Sequence, residues 1–178
     1  MCGLAAAARL PRRSRDGISR DVTTASAPSL PLPGVRVLAE RPGVLWLDLD
    51  DPNGPGLDEL AARYGFHELS VEDCRNHPQL AKLDSFPDHV FLIANSIRYD
   101  ADTGVLEVRE LDVFLGEKFI VTVHQGPRVI VDAVAAEVGK DARMETPAGV
   151  LYALVDAILD RFLPTLDEIS DRIDEIEE

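Results

Sequence analysis

VFLIANSIRYDADTGVLEVRELDVFLGEKFIVTVH, residues 90–124, is the stretch that decides the fold. It contains three runs rich in β-branched, aromatic and aliphatic residues: Val90 to Tyr99, Val105 to Leu115 and Phe119 to His124. Asp102-Thr103-Gly104 and Gly116-Glu117-Lys118 separate them, and both are turn sequences. This spacing predicts an antiparallel meander. Upstream, Val35 to Glu40 and Val44 to Asp50 read as two more strands. In the second, Leu45, Leu47 and Leu49 share one face, with Trp46 and Asp48 on the other. Pro52-Asn53-Gly54-Pro55 is a turn, Leu57 to Tyr64 has helical spacing, and Gly65 is a natural helix stop. A short second helix is expected to start near Ser70, as its N-cap, with an acid in the first turn at Asp73. Downstream, Pro127 to Val138 reads as a helix closed by Gly139. Helices around a mainly antiparallel sheet define an α+β or mixed α/β fold.

The last 33 residues, 146–178, differ in pattern. Thr146 suits an N-cap and Pro147 a first helical position. Apolar residues then recur at Leu151, Leu154, Val155, Ile158, Phe162, Leu166, Ile169, Ile173 and Ile176, and from Phe162 they follow a heptad seam. Pro164 should kink this helix, because it removes one backbone donor. A lone seam in water needs a partner helix. The helix is therefore expected to be truncated or to pair with another chain.

Charge divides the chain. Residues 1–34 hold five arginines and two acids, a net of +3, with no sustained period. They read as a disordered leader, with an Arg- and Ser-rich transit peptide as the alternative. The remainder carries −17 of an overall −14. The expected organisation is leader 1–34, α/β domain 35–145 and the start of a helical region at 146–178. The acidic excess disfavours a nucleic-acid partner and suits cation binding or simple solubility. Cys2 and Cys74 are too few for a disulfide framework or a thiolate metal site, which fits a reducing compartment. The longest apolar run, Val150 to Val155, falls far short of the ~20 residues of a membrane span.

Several kinds of chemistry drop out on spacing. Asp48 to Gly54 looks like a calcium loop, but with Gly54 at the sixth position Leu49 and Leu60 occupy ligand positions, so it reads as a strand end and turn. His67-Glu68 lacks the second histidine of a zinc-protease helix, and no Gly-rich phosphate loop or nucleophile elbow is present. The four histidines are scattered and read as structural or surface residues. The acids remain. Glu72 and Asp73 are adjacent at the expected start of a helix, and Asp156 and Asp160, four apart, lie on one helical face. They either serve the helix dipole and solvent or ligate a hard divalent cation, which prefers carboxylate oxygen.

Residues 44–178 resemble the cytoplasmic domain of the CorA family of magnesium transporters. The resemblance rests on Trp46-Leu47-Asp48-Leu49, Tyr64 to Asp73 (YGFHELSVED), Val121-Thr122-Val123-His124, Leu151 to Phe162 (LYALVDAILDRF) and the heptad-like Leu166 to Glu177. It implies a mixed sheet sandwiched between helices and followed by long helices leading to the membrane. It implies a homopentamer that handles Mg2+ and often Co2+ or Ni2+, with this domain on the cytoplasmic side of the cell membrane. It also implies regulatory rather than enzymatic use of the cation, with Glu72, Asp73 and Asp156 as metal ligands. The family's two transmembrane helices and their Gly-Met-Asn loop have no counterpart here, so the chain reads as a soluble part cut before the pore. Asn76 to Leu83 departs from the family's Gln-Arg-Pro-Lys segment, which leaves the subfamily, including zinc-transporting relatives, open. A stand-alone interaction module using the C-terminal helix and a small metal-dependent enzyme are the rival readings.

Overall fold

A computed structural model describes residues 32–100 and 102–177. The expected leader falls outside them apart from its last three residues, and Leu32 among these packs against the core.

Six strands form one mixed sheet: β1 (Val35–Arg41), β2 (Val44–Leu49), β3 (Lys82–Ser85), β4 (Val90–Asp100), β5 (Val105–Leu115) and β6 (Phe119–His124). Their spatial order is β1-β2-β6-β5-β4-β3. The expected meander is present, with β4 paired to β5 from Val90 opposite Leu115 to Asp100 opposite Val105. β6 then runs antiparallel to β5 and parallel to β2. The sheet is thus antiparallel except at the central β2–β6 pair. A parallel pair requires a long crossover, which the α1–β5 segment supplies. β3 was not foreseen, because Lys82 to Ser85 is short and polar and becomes a strand only by pairing with β4.

The helices are α1 (Pro55–Tyr64), α2 (Glu68–Asp73), α3 (Val129–Ala135) and α4 (Pro147–Glu177), with a 3-10 turn at Ala142–Glu145. Gly65 closes α1 at φ 69°, a left-handed conformation that glycine adopts without Cβ strain. The Thr146 hydroxyl accepts from the Gly149 N–H at 3.1 Å and caps α4 as expected. α4 then continues through Pro164. α3 is shorter than the 127–138 expected from apolar spacing.

Two cores lie on opposite faces of the sheet. Leu45, Leu47 and Leu49 of β2 pack with Phe91, Phe114 and Val121 under α1 and α2, which contribute Leu57, Leu60 and Val71. On the other face Trp46 packs with Val113 and Ile120 under α3 and α4, which contribute Val131, Val150, Leu154 and Ile158. Helices cover both faces, so all six residues of β2 are buried. β2 alternates by two, which is why the three leucines and Trp46 separate so cleanly. Beyond Ile158, Phe162 still packs against this core and Thr165 is buried, whereas Leu163, Leu166 and Ile173 are exposed within the single chain.

Candidate metal centre

The sequence-predicted ligands occupy two separate layers. Glu72 and Asp73 are on α2, whose Val71 packs into the core on the α1 side. Asp156 is on α4, exposed, on a helix whose Leu154 and Ile158 pack into the opposite core. The sheet lies between them, so one chain does not bring Asp156 to Glu72 and Asp73.

The expected start of α2 at Ser70 is corrected by the structure. The N-cap is His67, whose Nδ1 accepts from the Leu69 N–H at 3.2 Å, and Ser70 is buried inside the helix. Phe66 and Val71 anchor the two ends of that segment in the core, which places the first turn three residues earlier. Glu72 and Asp73 therefore sit in the last turn, where the helix dipole opposes negative charge. Compensation comes from Lys82, whose Nζ lies 2.7 Å from Asp73 and 2.8 Å from Asp84. Those two carboxylates hold the Lys82 ammonium above its ordinary pKa. Glu72 is left exposed and Asp73 half-buried on the same surface. Arg75 ties this end of α2 to α1 through Asp58 at 2.8 Å and the Pro52 carbonyl at 3.2 Å.

Asp156 is not in a purely negative field. Arg143, in the 3-10 turn, is held above its ordinary pKa mainly by Asp141, with smaller contributions from Tyr152 and Asp156. Its guanidinium lies 5.8 Å from the Tyr152 ring.

Asp48, expected at a strand end, is fully buried on the α3–α4 side. Arg36 donates to its Oδ2 at 2.8 Å, Thr122 donates to its Oδ1 at 2.7 Å, and His124 Nε2 lies 3.3 Å from Oδ1. The Trp46 indole donates to the Thr122 hydroxyl at 3.2 Å. Burial alone would push Asp48 up, but the His124, Arg36 and Thr122 contacts together hold it below the ordinary carboxylate range. Asp132 of α3 reaches the same guanidinium at 3.4 Å. The network joins β1, β2, β6 and α3. Residue pattern alone could not find it, because Arg36 meets Asp48 through the β1–β2 pair and Thr122 and His124 come to it from far along the chain through the parallel β2–β6 pair.

A second buried acid, Asp112 of β5, lies on the α1–α2 side beside Cys74 and Glu110. Burial first, and the Glu110 charge second, push it up to about 8. Burial and the carboxylates of Asp112 and Glu110 likewise raise the Cys74 thiol.

With this geometry in place, comparison with known proteins settles the family. The family described as "CorA-like Mg2+ transporter protein" matches residues 42–178. The chain belongs to the CorA-like family. A putative metal ion transporter of Bacillus subtilis, YfjQ, is 31% identical over 143 residues, covering 78% of this chain and 44% of that protein. The cobalt/magnesium transport protein CorA of Thermotoga maritima is 27% identical over 118 residues, covering 65% of this chain and 34% of that protein. The CorA-like chain thus spans less than half the length of either relative. In fold it matches the soluble domain of CorA from Methanocaldococcus jannaschii, with a TM-score of 0.59 at 14% identity over 75% of this chain and 54% of that one. Among the described residues of this CorA-like chain, no helix is long and apolar enough to cross a membrane.

Proposed function

We propose that this chain is the divalent-cation-sensing domain of a CorA-like transporter, on the cytoplasmic side of the membrane, with Mg2+ as regulatory ligand and Co2+ as an alternative. In this reading it is a regulatory part and not an enzyme. One observation carries the proposal: Glu72 and Asp73 lie on one outer layer of the domain and Asp156 on the other. An ion held by both sets must then join two copies. Contacts between two different faces of identical copies are head-to-tail, and such contacts form a ring when the rotation between neighbours closes and an open filament when it does not. A homopentamer is one such ring. Each copy carries −14, so neighbours repel. Mg2+ needs only one or two carboxylates and keeps several waters, so it can bridge exposed acids without an enclosing cage. Bridging offsets the repulsion and favours the closed ring, and loss of cytoplasmic Mg2+ releases it. That is feedback through different affinities of two states.

The test is sedimentation of the chain in EDTA and in MgCl2 at matched ionic strength. Mg2+ should promote association, and Asp73→Asn and Asp156→Asn should each abolish that effect. Mixing the two variants should restore it in part, because a mixed pair retains one intact junction between Asp73 of one copy and Asp156 of the other. If either variant alone associates like wild type in Mg2+, the bridging reading fails.

A further inference from the structure

The loop after α2 meets β5 at a second set of metal-competent side chains, separate from Glu72, Asp73 and Asp156. Glu110 and Asp112 are two apart on β5 and so point to the same face of the sheet, the one beneath α2. His77 comes to them from the loop. Its Nδ1 is 2.7 Å from Glu110 Oε1. One potential ligand atom from each of His77, Glu110 and Asp112 lies within 4.8 Å of the others.

The chemistry of this group is incomplete as protein alone. Asp112 has no exposure to solvent, and neither of its carboxylate oxygens has a hydrogen-bond partner. The Cys74 thiol and the Glu110 carboxylate lie beside it. His77 Nε2 and Asn95 Oδ1 are also buried and unpartnered. Glu110, with a side chain only 5% exposed, spends its other oxygen on the Gln79 N–H. Two carboxylates in so dry a place repel each other unless a cation lies between them. Lys82, the nearby cation of β3, is already engaged with Asp73 and Asp84. The loop is also held in position: the Asn95 side-chain amide donates to the Gln79 carbonyl at 3.0 Å, so His77 is presented by a fixed backbone.

We propose that His77, Glu110 and Asp112 bind a first-row transition-metal dication of the Zn2+ or Co2+ class, clamping the loop after α2 onto β5. The donor set decides the class. One imidazole nitrogen and two carboxylate oxygens suit zinc and its first-row neighbours, whereas Mg2+ favours oxygen alone and is reluctant to lose water. Three protein ligands leave coordination positions for water. The site goes beyond the cation-sensing reading and does not depend on it, since it lies within one copy and uses none of the same ligands.

The probe is Co2+ added to the chelator-stripped 178-residue chain, with binding followed by visible absorption and calorimetry. With ~100-fold excess Mg2+ present throughout to occupy Glu72, Asp73 and Asp156, one equivalent of Co2+ per chain should still bind and give the same spectrum. Asp112→Asn keeps the side-chain shape and His77→Gln keeps a polar loop residue. Each should weaken binding by at least ~10-fold, while Glu72→Gln leaves it unaltered. His77→Gln lies outside the sheet and keeps the test readable if Asp112→Asn fails to fold. Absence of saturable Co2+ binding, or wild-type affinity in His77→Gln, would overturn the site and point to two carboxyls sharing a proton. Either result leaves the Mg2+ association experiment untouched.

Discussion

Asp48 of β2 has no exposure to solvent. It is an acid inside a strand that has no exposed face, yet it is paired with Arg36 and hydrogen-bonded by Thr122. Its folded pKa lies below its unfolded value. Ionised Asp48 therefore stabilises the fold at pH values above the unfolded range near 4, and that stabilisation is lost as pH falls through the lowered folded value. Arg36 is partly exposed, so water screens part of the pair. Asp48→Asn should cost about 2 kcal/mol at neutral pH and should flatten the acid limb of the stability curve. Urea unfolding from pH 3 to pH 7 measures both effects. Curves for wild type and variant that stay parallel down the acid limb would show that Asp48 does not drive it.

Among the elements, α4 illustrates an intrinsic preference reversed by packing. Gly149 lies in its first turn, where alanine ordinarily favours a helix by up to about 1 kcal/mol. Here a Cβ at position 149 would come within 1.6 Å of the Arg143 carbonyl oxygen in the preceding 3-10 turn. That oxygen is backbone and cannot rotate away as a flexible side chain would. Gly149→Ala should therefore destabilise by about 2 kcal/mol, the cost of an overpacked contact. Chemical denaturation gives the sign directly, and an increase in stability would mean that the turn yields freely. α2 illustrates a different point. Ser70 and His67 are both able to cap, and only the burial of Phe66 and Val71 selects His67. The choice moves Glu72 and Asp73 from the first turn to the last, and with it the sign of their interaction with the helix dipole.

For the molecule as a whole, the core on the α3–α4 side ends where α4 passes Ile158 and the partly buried Phe162. Leu163, Leu166 and Ile173 beyond this point are exposed. Domain stability and association should therefore separate. Removing residues 167–178 should shift the thermal midpoint by no more than about 2 °C, because exposed positions away from caps and cores contribute little. The same truncation should lower the tendency of the chain to self-associate at high concentration, since it removes much of the apolar seam. Calorimetry and sedimentation on one sample test both halves. A large loss of thermal stability would show that the distal helix supports the domain within a single chain.

Local pattern determined a good part of this protein. Alternation in β2, the two turn sequences inside residues 90–124, the Thr146–Pro147 helix start and the apolar repeat along α4 were all legible, because each depends on neighbours a few residues away. The resemblance carried by motif order determined the family. Tertiary structure decided the rest. β3 exists only through its pairing with β4. The parallel β2–β6 pair brings Asp48 to Thr122 across 74 positions of sequence. The pleat of β5 and the course of the loop after α2 bring His77 to Glu110 and Asp112. The sheet itself separates Asp156 from Glu72 and Asp73. Each is a relation between segments remote in the chain, set by which faces are buried together, and periodicity within one segment carries no information about it.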